Sequence, residues 1–167
     1  YLDGFGGSSV NVAILDAPPG TSCPVVQTVR DADYVLLVTE PTPFGLHDLT
    51  LAVEVARGEL GLPVGVVINR DGCGDPGVDT YCEREGIPIL MRIPLDRGIA
   101  RAIARGGSLV EAFPEYRTRF HELFRAMAKR VKNLPVVLNT RMLPLRAVAI
   151  TVRWDFLSLF LTLIFPL

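Results

Sequence analysis

Cysteine is scarce in this sequence, with three cysteines among 167 residues. Cys23, Cys73 and Cys82 form no C-x-x-C pair, and the spacing of the last two, with Cys82 inside a predicted helix, is poor for metal ligation. An odd count of cysteines without a secretion signal is typical of reduced thiols. We therefore expect unligated thiols, no disulfide framework and a cytoplasmic location.

An excess of charge of either sign is also missing. Seventeen basic and 18 acidic residues give a formal net charge of −1. This balance gives no electrostatic reason to bind nucleic acid, and we expect no nucleic-acid partner. No G-x-G-x-x-G follows a predicted strand, which disfavours a dinucleotide-binding oxidoreductase. No basic and then apolar targeting region follows Tyr1, so we expect the chain to be part of a longer reading frame.

Short apolar runs alternate with longer amphipathic stretches, which is typical of an α/β fold with a parallel sheet covered by helices on both faces. Four runs are nearly continuous in Val, Ile and Leu and predict strands buried on both faces. They lie at 12–16, 34–40, 64–69 and 87–93. We expect them to be parallel neighbours in one sheet. Helices are predicted near 24–31, 46–60, 76–86, 97–105 and 115–132.

The composition changes after Lys132. Residues 133–167 contain three arginines, one acid and no lysine, and they end in the 12-residue apolar run FLSLFLTLIFPL. That run is shorter than the roughly 20 residues that a membrane-spanning helix needs. Three interpretations stay open for this hydrophobic tail: a packed terminal helix or strand, an interfacial anchor that gives peripheral membrane association, or an extension from a shifted reading frame. We expect the domain to comprise residues 1–132, and a tail that is foreign to it would pack poorly on the domain.

The stretch ILDAPPGTS at 14–22 places an aspartate at the end of the first predicted strand and a glycine four residues later. A Mg-nucleotide site needs a carboxylate that orients the water shell of the metal and a glycine amide that approaches the terminal phosphate. Asp16 and Gly20 are therefore the candidate catalytic residues, with Asp16 holding Mg²⁺ through water. The alternative is an ordinary Asp-initiated turn before a capped helix.

Residues that follow the third and fourth strands are candidates for binding a base. The Asn69 side chain can present a donor and an acceptor to the N6 and N7 edge of adenine, and Arg70 could pack flat on the base. Pro94 and Asp96 could flank its other side. The alternatives are a turn that starts at Asn69, and a helix N-cap at Asp96.

Four stretches together carry a resemblance to a known family. They are ILDAPPGTSCPVV, DADYVLLVTEPTPFGLHDLTLAVEVA, GVVINRDG and YCEREGIPILMRIPLDRGIARAIARG. The chain resembles the carboxyl-terminal half of MinD/Mrp-like P-loop ATPases of the ParA/MinD superfamily (SIMIBI class), closest to the subgroup with an inserted ferredoxin-type 4Fe-4S domain. The resemblance covers roughly residues 11–132.

The resemblance implies an ATP hydrolase that dimerises around ATP and Mg²⁺ and that serves iron–sulfur cluster handling or partner switching. It places Asp16 at the acidic Mg position, Gly20 at the switch glycine, and Asn69 with Pro94 at the adenine. A redox or iron–sulfur protein partner is implied as well.

Two parts of the family pattern are missing from the sequence. The first is the lysine-rich glycine loop (Walker A), because the glycine-rich stretch GFGGSS at 4–9 contains no lysine. The second is the cysteine-rich insert. We therefore expect this chain to be inactive alone. The alternative function is a non-hydrolysing protein-interaction module on the same fold.

Overall fold

The computed structural model describes residues 12–17, 23–132 and 146–151. Its strands are β1 (Val12–Ala17), β2 (Tyr34–Thr39), β3 (Val64–Asp71), β4 (Ile89–Pro94) and β5 (Arg146–Thr151). Its α-helices are α1 (Cys23–Val29), α2 (Pro43–Val53), α3 (Gly77–Glu85), α4 (Arg97–Ala104), α5 (Leu109–Ala112) and α6 (Glu115–Lys132). A π-helix, Glu54–Glu59, continues α2. The α/β class is confirmed, with the parallel sheet expected of a P-loop NTPase-like fold.

The five strands form one sheet in the order β1-β5-β2-β3-β4, and every pair is parallel. The four predicted strands are therefore in one parallel sheet. The expectation that all four are neighbours is wrong, because β5 lies between β1 and β2. Ala149 of β5 is in register with Leu15 on one side and with Val35 on the other.

Two hydrophobic cores cover the two faces of the sheet. The pleat sends alternate side chains of β2 to opposite faces, so that Leu36 packs toward α4, α5 and α6 and Leu37 toward α1, α2 and α3. In the core on the side of α4, α5 and α6, helix α6 contributes Phe120, Leu123 and Met127, which recur at helical spacing and are buried. Burial on both faces explains why the strands are continuous apolar runs instead of alternating ones.

The tail takes part in the sheet over residues 146–151. This segment pairs with β1 and β2 as strand β5 and lies between them in the sheet. The apolar run FLSLFLTLIFPL, on which the anchor interpretation rests, lies outside the described residues.

The predicted helices are present, α6 with the predicted bounds and the others with one or both ends shifted. Helix α2 begins at Pro43, earlier than predicted, because Thr42 is its N-cap and its hydroxyl accepts a hydrogen bond of 3.0 Å from the Gly45 amide. The short helix α5 was not predicted and is held by a capping box between Ser108 and Glu111.

A proline in β5 tests whether this strand holds the sheet together. In a strand with a neighbour on each side, every backbone N–H donates a hydrogen bond to one of the two neighbouring strands. Ala149→Pro removes one such N–H from β5. We expect the free energy of unfolding to fall by about 1–3 kcal/mol, since a buried acceptor loses its partner. Ala149→Ser keeps the amide and is the control. Equal denaturation midpoints for the proline variant and the parent protein would contradict a central β5.

Candidate functional site

The carboxyl edge of the sheet collects the ends of all five strands. Because all the strands are parallel, Asp16 near the end of β1, Glu40 just after β2, Asn69 near the end of β3 and Pro94 at the end of β4 lie along the same edge. In open α/β sheets ligands bind outside this edge. The parallel topology is therefore what brings these residues, which are distant in sequence, to one side of the molecule.

A pocket of about 250 Å³ opens at this edge between the ends of β3 and β4 and one face of α4. The four residues predicted to bind a base all line it, and apolar side chains supply the remaining walls. The lining residues are Asn69, Arg70, Ile93, Pro94, Leu95, Asp96, Ile99, Ala100, Ile103 and Ala104. The structure thus brings the predicted base-binding residues together and adds the α4 wall, which the sequence analysis did not identify.

A β-bulge shapes the β3 side of this pocket. Ile68 pairs with Arg92 and Asp71 with Pro94, so β3 contains one residue more than β4 over this interval. Arg70, within the bulge, has a φ of 55°, and among the described residues it is the one non-glycine with positive φ. Bulges next to functional sites redirect side chains, and non-glycine residues in this conformation concentrate at such sites.

The two aspartates beside the pocket have structural partners. Asp96 caps α4, since one carboxylate oxygen accepts from the Gly98 amide at 2.6 Å and the Ile99 amide at 3.0 Å. This confirms the N-cap alternative, and the same residue also lines the pocket. Asp71 pairs with Arg92 at 3.2 Å, and Arg92 in turn pairs with Asp79 on α3. These hydrogen bonds and ion pairs fix the positions of α3 and α4 around the strand ends.

Asp16 lies on the same edge but outside the pocket lining. Three strand spacings separate β1 from β3, which corresponds to about 14 Å at ~4.8 Å per strand. The Asp16 side chain is exposed, and partial desolvation raises the pKa of the Asp16 carboxyl above the ordinary value. Gly20, the predicted switch glycine, lies outside the described residues.

The loop from β2 to α2 is held by close backbone packing. The Thr39 hydroxyl donates to the Gly45 carbonyl at 2.8 Å, and a Cβ added to Gly45 would overlap the carbonyl oxygen of Glu40. A Cβ at Gly74 would likewise overlap the carbonyl oxygen of Pro41. The loops after β2 and β3 therefore touch through backbone atoms, a contact that the sequence analysis missed because loop glycines are common.

The thiols are spread over the domain. Cys23 and Cys73 are exposed, whereas Cys82 is buried and burial raises the pKa of its thiol to about 11. The described part of the chain has no group of three or more His, Cys, Asp or Glu side chains that could hold a metal ion. No helix in this part of the chain is both long and apolar enough to span a bilayer.

No protein-family profile matches the chain, but individual relatives do. Two uncharacterized proteins of Methanocaldococcus jannaschii are 34% identical over 100 residues and 40% identical over 116 residues, alignments that cover 60% and 70% of this chain. The cytosolic Fe-S cluster assembly factor Nubp1 homolog of Drosophila sechellia is 27% identical over 133 residues, or 66% of the chain. The chain spans 34%, 39% and 43% of the lengths of these curated relatives.

The distant similarity to the Nubp1 homolog fits the resemblance to MinD-type ATPases at a coarse level. It is a similarity to a protein whose name specifies iron–sulfur cluster assembly. The finer assignment to the subgroup with a ferredoxin insert rests on the sequence motifs alone.

Alanine substitutions at two glycines test the packing of the β2–α2 loop. Gly45→Ala places a Cβ against the Glu40 carbonyl, and we expect it to lower the free energy of unfolding by about 1–3 kcal/mol. Gly58→Ala is the matched control, because its Cβ would meet only the Glu54 side chain at 4.0 Å. Alanine is also more favourable than glycine within a helix by up to about 1 kcal/mol, so this variant should gain stability. In denaturant titrations the midpoint should fall for Gly45→Ala and rise for Gly58→Ala. Equal shifts in the two variants would contradict the close contact between Gly45 and the Glu40 carbonyl.

The raised pKa of Asp16 predicts a pH-dependent gain in stability for Asp16→Asn. A carboxyl whose folded pKa exceeds the unfolded value favours the native state when protonated, and this contribution is lost as pH rises through the folded pKa. The neutral asparagine avoids that loss. Thermal midpoints should therefore be higher for the variant at pH 7 and should converge with those of the parent protein below about pH 4. A constant difference at every pH would show that ionisation of Asp16 is not the cause.

Proposed function

We propose that this chain forms the base-binding side of the nucleotide site of a MinD/Mrp-like ATPase that serves iron–sulfur cluster handling. The observation that carries the proposal is the pocket at the carboxyl edge, which Asn69, Arg70, Pro94 and Asp96 line together. A volume of about 250 Å³ lies just below the range of roughly 300–1,000 Å³ for small-molecule pockets. It suits a nucleobase better than a whole nucleotide.

The chemistry of the lining favours a purine with an exposed amino group. The Asn69 amide offers a donor and an acceptor side by side, which complements N7 and the N6 amino group of adenine. Ile99 and Ile103 of α4 supply an apolar wall for the faces of the ring. The carboxylate of Asp71, bound to Arg92, is engaged elsewhere and does not compete for the base.

The phosphates would extend along the edge from this pocket toward β1. The separation of about 14 Å between β3 and β1 matches an extended ribose and triphosphate better than a compact ligand. Asp16 would then orient the water shell of Mg²⁺, and Gly20 would approach the terminal phosphate. Bound Mg²⁺ supplies charge neutralisation at the phosphates.

Hydrolysis is proposed for the longer protein. Most phosphate affinity in such sites comes from a glycine-rich loop and its lysine, and the 167 residues contain no such run. We propose that the longer protein hydrolyses ATP as a homodimer in the cytoplasm. This chain would bind ATP weakly.

The link to iron–sulfur chemistry rests on the similarity to the Nubp1 homolog. The ligands of a cluster would come from other parts of the longer protein or from a redox protein partner, because the described residues lack a suitable group of ligands. The cluster is proposed as cargo and not as a resident group of this domain.

A protein-interaction module is the second candidate. Phe44 at the start of α2 is 84% exposed and Leu95 after β4 is 58% exposed. Both lie at the carboxyl edge, and exposed apolar side chains of this size are common at protein interfaces. This candidate predicts partner binding that is independent of any nucleotide.

Adenosine tests the base pocket without the missing phosphate loop. Titration of the isotope-labelled chain should shift the backbone signals of Asn69, Leu95 and Ile103 at millimolar concentrations, and guanosine should bind more weakly. Asn69→Ala should weaken adenosine binding by roughly 5- to 150-fold, since a bidentate base contact contributes about 1–3 kcal/mol. Thr80→Ala, an exposed residue on α3, is the control. Shifts confined to other surfaces would overturn the proposal.

A further inference from the structure

Arg70 is held by an ion pair that spans two strand ends. Its guanidinium lies 3.4 Å from the carboxylate of Glu40, and the two side chains are 50% and 12% exposed, respectively. Glu40 follows β2 directly, whereas Arg70 belongs to the bulge of β3 and lines the pocket. The ion pair therefore connects the wall of the pocket to the loop between β2 and α2.

The two partners differ in how firmly the fold holds them. The backbone around Glu40 is fixed, because its carbonyl packs against Gly45 and the neighbouring Pro41 carbonyl packs against Gly74. The Arg70 side chain is long, half exposed and attached to a backbone in the left-handed region. A side chain of this length has many rotamers. Ordering it when a ligand binds costs conformational entropy and so lowers the affinity of the protein for that ligand.

The geometry points to Glu40 as a positioning residue for Arg70: by pairing with the guanidinium it holds that planar group at the wall of the base pocket before a ligand arrives. This inference rests on the proposed function of the pocket and adds a residue outside its lining. Glu40 touches no base; it acts through Arg70.

An uncharged ligand makes this role measurable. Adenosine carries no charge, so its affinity responds to salt chiefly through ion pairs of the protein, and screening weakens a half-exposed pair. For the parent protein we expect the dissociation constant for adenosine to rise between low and high ionic strength. Glu40→Gln should raise that constant about two- to fivefold at low salt and should reduce its salt dependence, leaving only the part that comes from the ion pairs of Arg92.

A double-mutant cycle separates positioning from a general structural effect. Arg70→Asn removes the guanidinium and keeps a residue that tolerates positive φ. In that background Glu40→Gln should have no further effect on adenosine affinity. Glu83→Gln, which removes an exposed carboxylate on α3, should leave both the affinity and its salt dependence unchanged.

The outcomes distinguish this inference from the proposed function. Additive losses in the cycle, or equal salt dependence in Glu40→Gln and the parent protein, would overturn the role of Glu40 while the base pocket stands. Absence of any adenosine binding to the parent protein would instead remove the proposed function and this inference together. A thermal midpoint of Glu40→Gln close to that of the parent protein is expected, because the variant keeps the size and shape of the side chain.

Discussion

The parallel hydrogen bonding of β5 with β1 and β2 is the constraint on which the carboxyl edge depends. β1 has no other strand neighbour among the described residues, so its alignment with β2, β3 and β4 is transmitted through residues 146–151. Asp16 shares an edge with the pocket only because of that connection. Residues 146–151 therefore set the geometry between Asp16 and the pocket, the two parts of the proposed site, which lie much earlier in the chain.

The same edge divides into regions with different chemistry. Between β3 and β4 the pocket is small, largely apolar and closed on one side by α4, which suits an aromatic ring. At β1 the exposed Asp16 carboxylate offers the oxygen atoms that a hydrated Mg²⁺ requires. The Glu40–Arg70 pair lies between them at β2 and β3, where backbone contacts of Gly45 and Gly74 leave the loops little freedom.

Much of this architecture could be predicted from local sequence. The strands β1 to β4 are apolar because both of their faces are buried, and Asp96 before RGIARAIARG is a recognisable N-cap. The position of β5 could not be predicted, because its insertion between β1 and β2 depends on pairing across more than 100 residues and RAVAIT carries no signal for its neighbours. The bulge at Arg70 was missed for a related reason: arginine does not favour positive φ, so tertiary pairing of β3 with β4 imposes it.

We propose that one nucleotide spans this edge with its base at β3 and β4 and its metal-bound phosphates at β1. Mn²⁺ in place of Mg²⁺ with ATP tests it most directly, because the paramagnetic ion broadens nearby amide signals with a steep dependence on distance. We expect the strongest broadening at Asp16 and Ala17, with a decline through β2 and β3 to β4, while diamagnetic Mg-ATP shifts the signals of Asn69 and Leu95. Broadening centred on Asn69 and Leu95, with β1 unaffected, would contradict this arrangement.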